Sequence, residues 1–327
     1  EEKGVIPMGA ADTITKEYMR ENAVFADAFN YLLQSVGGYI DPNSLKELDT
    51  TEIAIPFGDG DSDEAVQKYR DILKSAVVKQ DDKASYVLLG IENQTDIHYA
   101  MPVRNIIYDA LQYGKQVSDI AAKHRKKVRG GHTKSEYLSG FYKTDKITPV
   151  ITLVIHFGAD EWDGPLSLHE MMDVPDYMLR LIPDYRIYLI DPAKMEWNEL
   201  LKLQTSLREV MGYIKYSQND EQLTSFLTAS SRTWIERNAA QVIKAITKTP
   251  IEIPEGMEEI NMCEAIEKMI AKSESKGKAE GEAQGIVKGK VSALADLVKE
   301  GLLNAKDAAA RLNMTEAEFE DAVKKLA

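Results

Sequence analysis

The stretch Tyr86-Val87-Leu88-Leu89-Gly90-Ile91-Glu92-Asn93-Gln94 decides how this chain is read. Its length and β-branching suit a strand. Strand side chains alternate, so Tyr86, Leu88, Gly90, Glu92 and Gln94 share one face while Val87, Leu89 and Ile91 line the other. A carboxylate therefore ends a buried strand. Upstream, residues 70–78 read as a second strand, with Gln80-Asp81-Asp82-Lys83 as the turn between the two. A turn symmetric about Asp81 and Asp82 makes antiparallel partners add to 163, which sets Asp71 against Glu92.

Opposed residues on one face of a hairpin have Cβ atoms roughly 5 Å apart, and like charges there are destabilising. Two unit charges about 4 Å apart repel by about 4 kcal/mol at an effective dielectric near 20. A shared proton would relieve this. So would a Mg²⁺ ion, which can activate a water and stabilise the leaving oxygen of a phosphodiester. Ordinary solvated strand-end charges are the plain alternative. The tripeptide Glu-x-Gln is uninformative alone, since it recurs at Glu282-Ala283-Gln284 in a helical-looking segment. Its weight comes from the preceding strand, the opposed acid and the helix that follows.

With 327 residues the chain has one or two domains and ample core. At 44% hydrophobic and 28% charged it is neither disordered overall nor membrane-like. No apolar run reaches about 18 residues. The lack of a signal-peptide pattern and the single Cys263 lead to an expected cytoplasmic location with no membrane partner. A net charge of -13 argues against indiscriminate nucleic-acid binding, yet Lys115 to Lys146 is a local basic patch.

Residues 1–7 precede the first methionine, Met8, and are left out of the fold reading. Thr15 to Leu33 is helical by spacing, closed by Gly37-Gly38, with Asp27 inside its apolar stripe or, as the plain alternative, exposed. Residues 41–63 read as a loop carrying a short strand near Ile53 to Phe57. Tyr99 to Ile120 is a helix with Pro102 in its first turn. On it Arg104, Tyr108, Gln112 and Gln116 share a face, which is either a solvated stripe or the lining of a groove for a nucleic-acid backbone. The segment His124 to Lys134 is a basic loop. Pro149 to Phe157 is a central strand, and His156 within it is a packing residue before it is a ligand. Arg186 to Ile190 is a further strand, and Trp197 to Thr247 is helical throughout, with breaks near residues 217–220 and 230–231. Pro250 to Pro254 marks a boundary. Gly277, Gly281, Gly285 and Gly289 beyond it fit either a helix stripe or a flexible linker. Residues 291–326 form two or three short helices with a capping box from Thr315 to Glu318.

Six stretches stand out together: Phe25-Ala26-Asp27-Ala28-Phe29-Asn30, Tyr69-Arg70-Asp71, Gly90-Ile91-Glu92-Asn93-Gln94, Tyr99-Ala100-Met101-Pro102-Val103-Arg104, Tyr108-Asp109-Ala110, and the Pro149 strand with Trp162-Asp163-Gly164-Pro165. With them the chain resembles the Rpn family of recombination-promoting nucleases and transposases, a branch of the PD-(D/E)XK nuclease superfamily. The resemblance covers roughly Tyr18 to Thr247. It implies an α/β, restriction-endonuclease-like mixed sheet flanked by helices, with a C-terminal helical extension, and Mg²⁺-dependent (or Mn²⁺-dependent) cleavage of DNA. Carried over residue by residue, it makes Asp71 and Glu92 metal ligands, the Asn93 carbonyl a third, and Asp27 an accessory acid. Gln94 stands where many relatives have Lys; it can orient a water or phosphate oxygen but brings no positive charge and cannot act as a base.

The expected organisation is a nuclease-like domain over residues 8–250, a Gly-containing linker or helix over 251–290 and a small helical module over 291–327. The expected function is a metal-dependent DNA endonuclease linked to recombination or transposition. Asp71, Glu92, Gln94 and Asp27 form its catalytic group, and Arg104, Tyr108, Arg125, Lys126, Lys127 and Arg129 its DNA contacts. A toxin or defence nuclease is not separable from it by sequence. The competitor is a weak or inactive DNA-binding and assembly protein that homo-oligomerises through its C-terminal helices.

Overall fold

The computed structural model describes residues 8–49, 51–54, 66–69, 71–80, 83–126, 132–230 and 232–325. Two helices, α1 (Met8–Arg20) and α2 (Asn22–Leu33), open the chain. Short strands β1 (Tyr39–Ile40), β2 (Lys46–Glu47), β3 (Thr51–Ala54) and β4 (Val66–Tyr69) precede the hairpin of β5 (Ile72–Gln80) and β6 (Lys83–Gln94). Then come α3 (Met101–Lys126), α4 (Lys134–Ser139), β7 (Val150–His156), α5 (Asp176–Leu179), β8 (Tyr188–Ile190), α6 (Trp197–Leu200), α7 (Leu207–Tyr216) and α8 (Asp220–Ala229). The last elements are β9 (Trp234–Glu236), α9 (Arg237–Thr247), β10 (Glu259–Asn261), α10 (Met262–Lys299), α11 (Ala305–Arg311) and α12 (Glu316–Lys324).

Among the described residues the main sheet runs β1-β5-β6-β7-β8, with β2 also pairing to β5. The β5–β6 pairing is antiparallel with partners such as Ile72↔Ile91 and Gln80↔Lys83, so they add to 163 as the sequence predicts. Asp81 and Asp82 themselves lie outside the described residues. β7 runs parallel to β6, with Gly90 beside Thr152 and Glu92 beside Val154. It is buried on both faces as its continuous apolar run requires. Alternation along β6 is also as read: Val87, Leu89 and Ile91 are buried on one face, and Glu92 and Gln94 on the other.

Helices cover both faces. Thr152 Oγ1 donates to Asp109 on α3, so α3 lies over the face that carries Glu92. Lys74, at 1% exposure, points to the opposite face. Its ammonium donates to the Arg20 carbonyl and to Asn22 Oδ1, and lies 4.9 Å from the Phe25 ring centroid. This contact explains a departure from the sequence reading. Thr15 to Leu33 is not one helix; it breaks at Glu21, whose backbone is extended, although no Gly or Pro stands there. Lys74 caps the carbonyl end of α1 as a cation at a helix C-terminus does.

One other expectation changes. The segment from Trp197 to Thr247 is not helical throughout, because Trp234–Glu236 pairs antiparallel with Glu259–Asn261. Of the two readings open for Gly277 to Gly289, the helix is the one found, since they lie within α10.

The chain divides into two compact units at Cys263/Glu264. The second unit has its own small core, in which Val291, Ala308, Ala309 and Phe319 are buried with Leu294, Val298 and Leu312 against them. Thr315 caps α12, accepting from the Glu318 amide while the Glu318 carboxylate accepts from the Thr315 amide. Among the described residues no helix is long and apolar enough to cross a membrane.

Candidate active site

The register of β5 and β6 brings Asp71 and Glu92 together at one end of the hairpin. The Asn93 amide donates to Asp71 Oδ2 at 2.8 Å, and the Asp71 amide approaches Glu92 Oε1 at 3.4 Å. Glu92 is fully buried, and the Asp71 side chain is 7% exposed. Two buried carboxylates this close need compensation, and two cations from distant helices supply it. Lys16 Nζ on α1 lies 3.0 Å from Asp71 Oδ1 and 2.7 Å from Asp12 Oδ2. Arg104 Nη2 on α3 lies 3.1 Å from Glu92 Oε2, and its Nε donates to the Tyr108 hydroxyl at 3.2 Å. The result is a charge network in which the adjacent acids Asp71 and Glu92 are flanked by Lys16, itself shared with Asp12, on one side and by Arg104 on the other.

The cations feel this arrangement. Burial pulls the Lys16 pKa down, but bonds to Asp12 and Asp71 outweigh it and leave the ammonium above its ordinary value. Arg104 is likewise held up by Glu92 against the opposing effect of burial. Burial first, and the Glu92 charge second, raise the Tyr108 phenol.

The other predicted residues fall into four groups. Gln94 Nε2 donates to the Asn93 carbonyl at 2.9 Å, so the candidate third ligand and the candidate water-positioning amide occupy each other. The Asn93 side-chain amide is buried without a hydrogen-bond partner among the described residues. Asp27 is 5% exposed and serves a different place. Its carboxylate accepts from the Gln204 amide at 2.9 Å, the Thr205 amide at 2.8 Å and the Thr205 hydroxyl at 2.7 Å. The α3 stripe turns inward: Tyr108 and Gln112 are each 4% exposed, and Gln116 bonds the backbone of Thr148. Arg104 and Tyr108 bond each other beside Glu92. Arg125 and Lys126 are exposed at the end of α3, while Lys127 and Arg129 lie outside the described residues.

Two participants escaped the sequence reading. Lys16 could have been found only as the i+4 partner of Asp12 on a helix. Asp109, noted in the sequence only as part of Tyr108-Asp109-Ala110 and given no role there, is a buried hub accepting from Thr152 at 2.7 Å and from the Tyr185 hydroxyl at 2.6 Å. His156 is a packing residue as expected, with Nδ1 3.2 Å from the Gln94 carbonyl and Nε2 3.1 Å from the Asp160 carbonyl.

Among the described residues no three His, Cys, Asp or Glu side chains gather to hold a metal ion. The pair nonetheless fits Mg²⁺ in kind, since hard carboxylate oxygens converge at the end of the hairpin. Ligation there requires Lys16 and Arg104 to yield the oxygens they hold.

A mixed sheet with helices on both faces and two acids meeting at the end of its central hairpin defines an α/β protein with a carboxylate-centred site. The family model described as "Putative transposase, YhgA-like" matches residues 42–241, more than half of the chain, and the protein belongs to that family. Membership gives it a transposition-related role. No curated protein and no solved structure matches the chain.

Proposed function

We propose that the protein is a metal-dependent DNA endonuclease acting in transposition or recombination, with Asp71 and Glu92 as the ligands of a Mg²⁺ or Mn²⁺ ion and DNA as its partner. The observation that carries this reading is the convergence of the two carboxylates, bracketed by the backbone amides of residues 71 and 93. A bound ion there would supply a lowered pKa for a water and charge for the leaving oxygen of a phosphodiester.

This chain's own residues do the rest. Asp71 and Glu92 each have a carboxylate oxygen oriented by a backbone amide of the hairpin. The Asn93 carbonyl, once released by Gln94, adds a neutral oxygen, and the freed Gln94 amide can orient a water or a phosphate oxygen. Lys16 and Arg104, on yielding the carboxylates, remain beside the site as the cations able to meet a phosphate. Lys16 thus brings a positive charge that Gln94 lacks.

Those ion pairs also favour a second reading. With Lys16 on Asp71 and Arg104 on Glu92, the four charges satisfy one another, as in a structural network. The protein would then be a DNA-binding or assembly protein that oligomerises through its C-terminal helices.

Plasmid nicking separates the two. The endonuclease reading expects nicking with Mg²⁺ or Mn²⁺ that Asp71→Ala and Glu92→Ala abolish in variants with unchanged circular dichroism. Equal activity in all three proteins discards it. Salt-sensitive DNA binding without nicking, together with a lower assembly mass on deleting residues 264–327, establishes the second.

A further inference from the structure

Beyond the acid pair, the region from the end of α3 to Lys146 holds four rings in near-parallel sequence. His124 stacks on Tyr142 with centroids 3.7 Å apart and planes 17° apart. Tyr142 faces His132 at 5.9 Å and 21°, and His132 faces Tyr137 at 5.6 Å and 14°. The two longer separations are those of offset stacking, and the shortest is a close face-to-face contact. The last ring opens to solvent: Tyr137 is 71% exposed and the adjacent Leu138 74%.

The stack is built, not incidental. Asp145 Oδ2 takes both His124 Nε2 at 2.8 Å and the Tyr142 amide at 2.6 Å. Glu136 closes the capping box of α4 and accepts from the Lys143 amide at 3.1 Å. Gly140 follows α4 at φ 68°, where a Cβ would come within 2.8 Å of the Ala121 Cβ, so the turn that returns Tyr142 to α3 needs glycine.

The charges around it are one-sided. Both acids of residues 132–146, Glu136 and Asp145, are consumed by the internal bonds just described. Lys123, Arg125, Lys126, Lys134, Lys143 and Lys146 are all exposed. An exposed aromatic face on a segment rich in exposed cations, in a protein of net charge -13, matches one ligand chemistry, a base with flanking phosphates. In a duplex the base faces are hidden by their neighbours, so a ring standing in solvent can be covered only by an unpaired base.

We propose that the His124, Tyr142, His132, Tyr137 stack is a docking platform for single-stranded DNA, with an unpaired base on Tyr137 and the phosphates on the surrounding lysines and Arg125. This rests on the proposed action on DNA and deepens it: the substrate carries an unpaired segment. Stacking is indifferent to base identity, so the contact selects for strandedness rather than sequence.

The test is fluorescence anisotropy in EDTA, where no metal-dependent cleavage can intervene, using labelled oligothymidylate and a duplex of equal length. The wild-type chain should bind oligothymidylate in a salt-dependent way. Tyr137→Ala should weaken that binding roughly 5- to 150-fold, leave duplex binding in place, and melt at the wild-type temperature. Tyr137→Trp should bind like wild type. Failure of the wild type to bind oligothymidylate, retention of wild-type affinity by Tyr137→Ala, or an equal loss for both DNAs would each overturn the proposal. None of these outcomes bears on whether Asp71 and Glu92 cut, which the nicking assay reads separately.

Discussion

Asp27 is the residue whose replacement best separates a structural from a catalytic role. Its carboxylate takes two consecutive backbone amides, Gln204 and Thr205, and the Thr205 hydroxyl, just ahead of α7. Asp27→Ala strands the two amides in a buried place, at about 1–3 kcal/mol each. Removing a desolvated carboxylate returns part of that, leaving a net loss of about 3 kcal/mol. For a unit of this size each kcal/mol moves the melting temperature by about 2–4 °C, so the variant should melt about 6–12 °C lower. Asp27→Asn keeps one acceptor oxygen and should fall between. The assay is thermal unfolding by circular dichroism, paired with plasmid nicking well below both transitions. On the structural role, nicking per folded molecule is unchanged. An unmoved transition with lost nicking would refute it and make Asp27 an accessory acid.

Other outcomes follow from single contacts. A Cβ at Gly212 would run into the Phe226 ring, so Gly212→Ala should cost about 1–3 kcal/mol by overpacking α7 against α8, read as a lowered melting temperature. Thr315→Ala should cost about 1 kcal/mol and speed amide exchange at the start of α12, with residues 8–263 untouched. Backbone amides hold Glu136 and Asp145 below their ordinary carboxyl values of 4.5 and 3.8, the Thr133 amide on the first and the Tyr142 amide on the second. Groups depressed in the folded state stabilise it fully above their unfolded values, and that support is lost as pH falls through the folded ones. The α4 region and its ring stack should therefore loosen in acid, below those ordinary values, seen as faster amide exchange over residues 132–146. Unchanged protection there would contradict the bonding described.

What the sequence revealed was what lies close along the chain. The hairpin register was legible because β-branched runs flank a short polar turn, and alternation then assigned each side chain to a face. The capping box from Thr315 to Glu318 was legible for the same local reason. The site's charge balance was not. Lys16 and Arg104 reach the acids from helices on either side of the hairpin in sequence, and nothing in a helix's own spacing says which strand end it will meet. The break at Glu21 was hidden because the apolar periodicity continues through it; a lysine on β5 causes it. Trp234–Glu236 escaped notice because three residues flanked by helices become a strand only when residues 259–261 come alongside. Asp27 was left between the apolar stripe and solvent, and its burial was not legible because the partners that allow it, the amides ahead of α7, lie far along the chain.

The packing of α1 has a practical bearing on how this protein is cut down for expression. α1 lies against α9, and the buried Tyr18 hydroxyl meets Ser206 at 2.9 Å. A fragment trimmed to the family-matched residues 42–241 would discard Lys16, Tyr18 and Asp27, leaving Asp71 without its ammonium and the Gln204 turn without its clamp. It would also remove the second half of α9 and uncover the apolar surface that Phe25 and Phe29 fill. Such a fragment should be insoluble or unfolded, and its silence in an activity assay would say nothing about the chemistry of the intact chain.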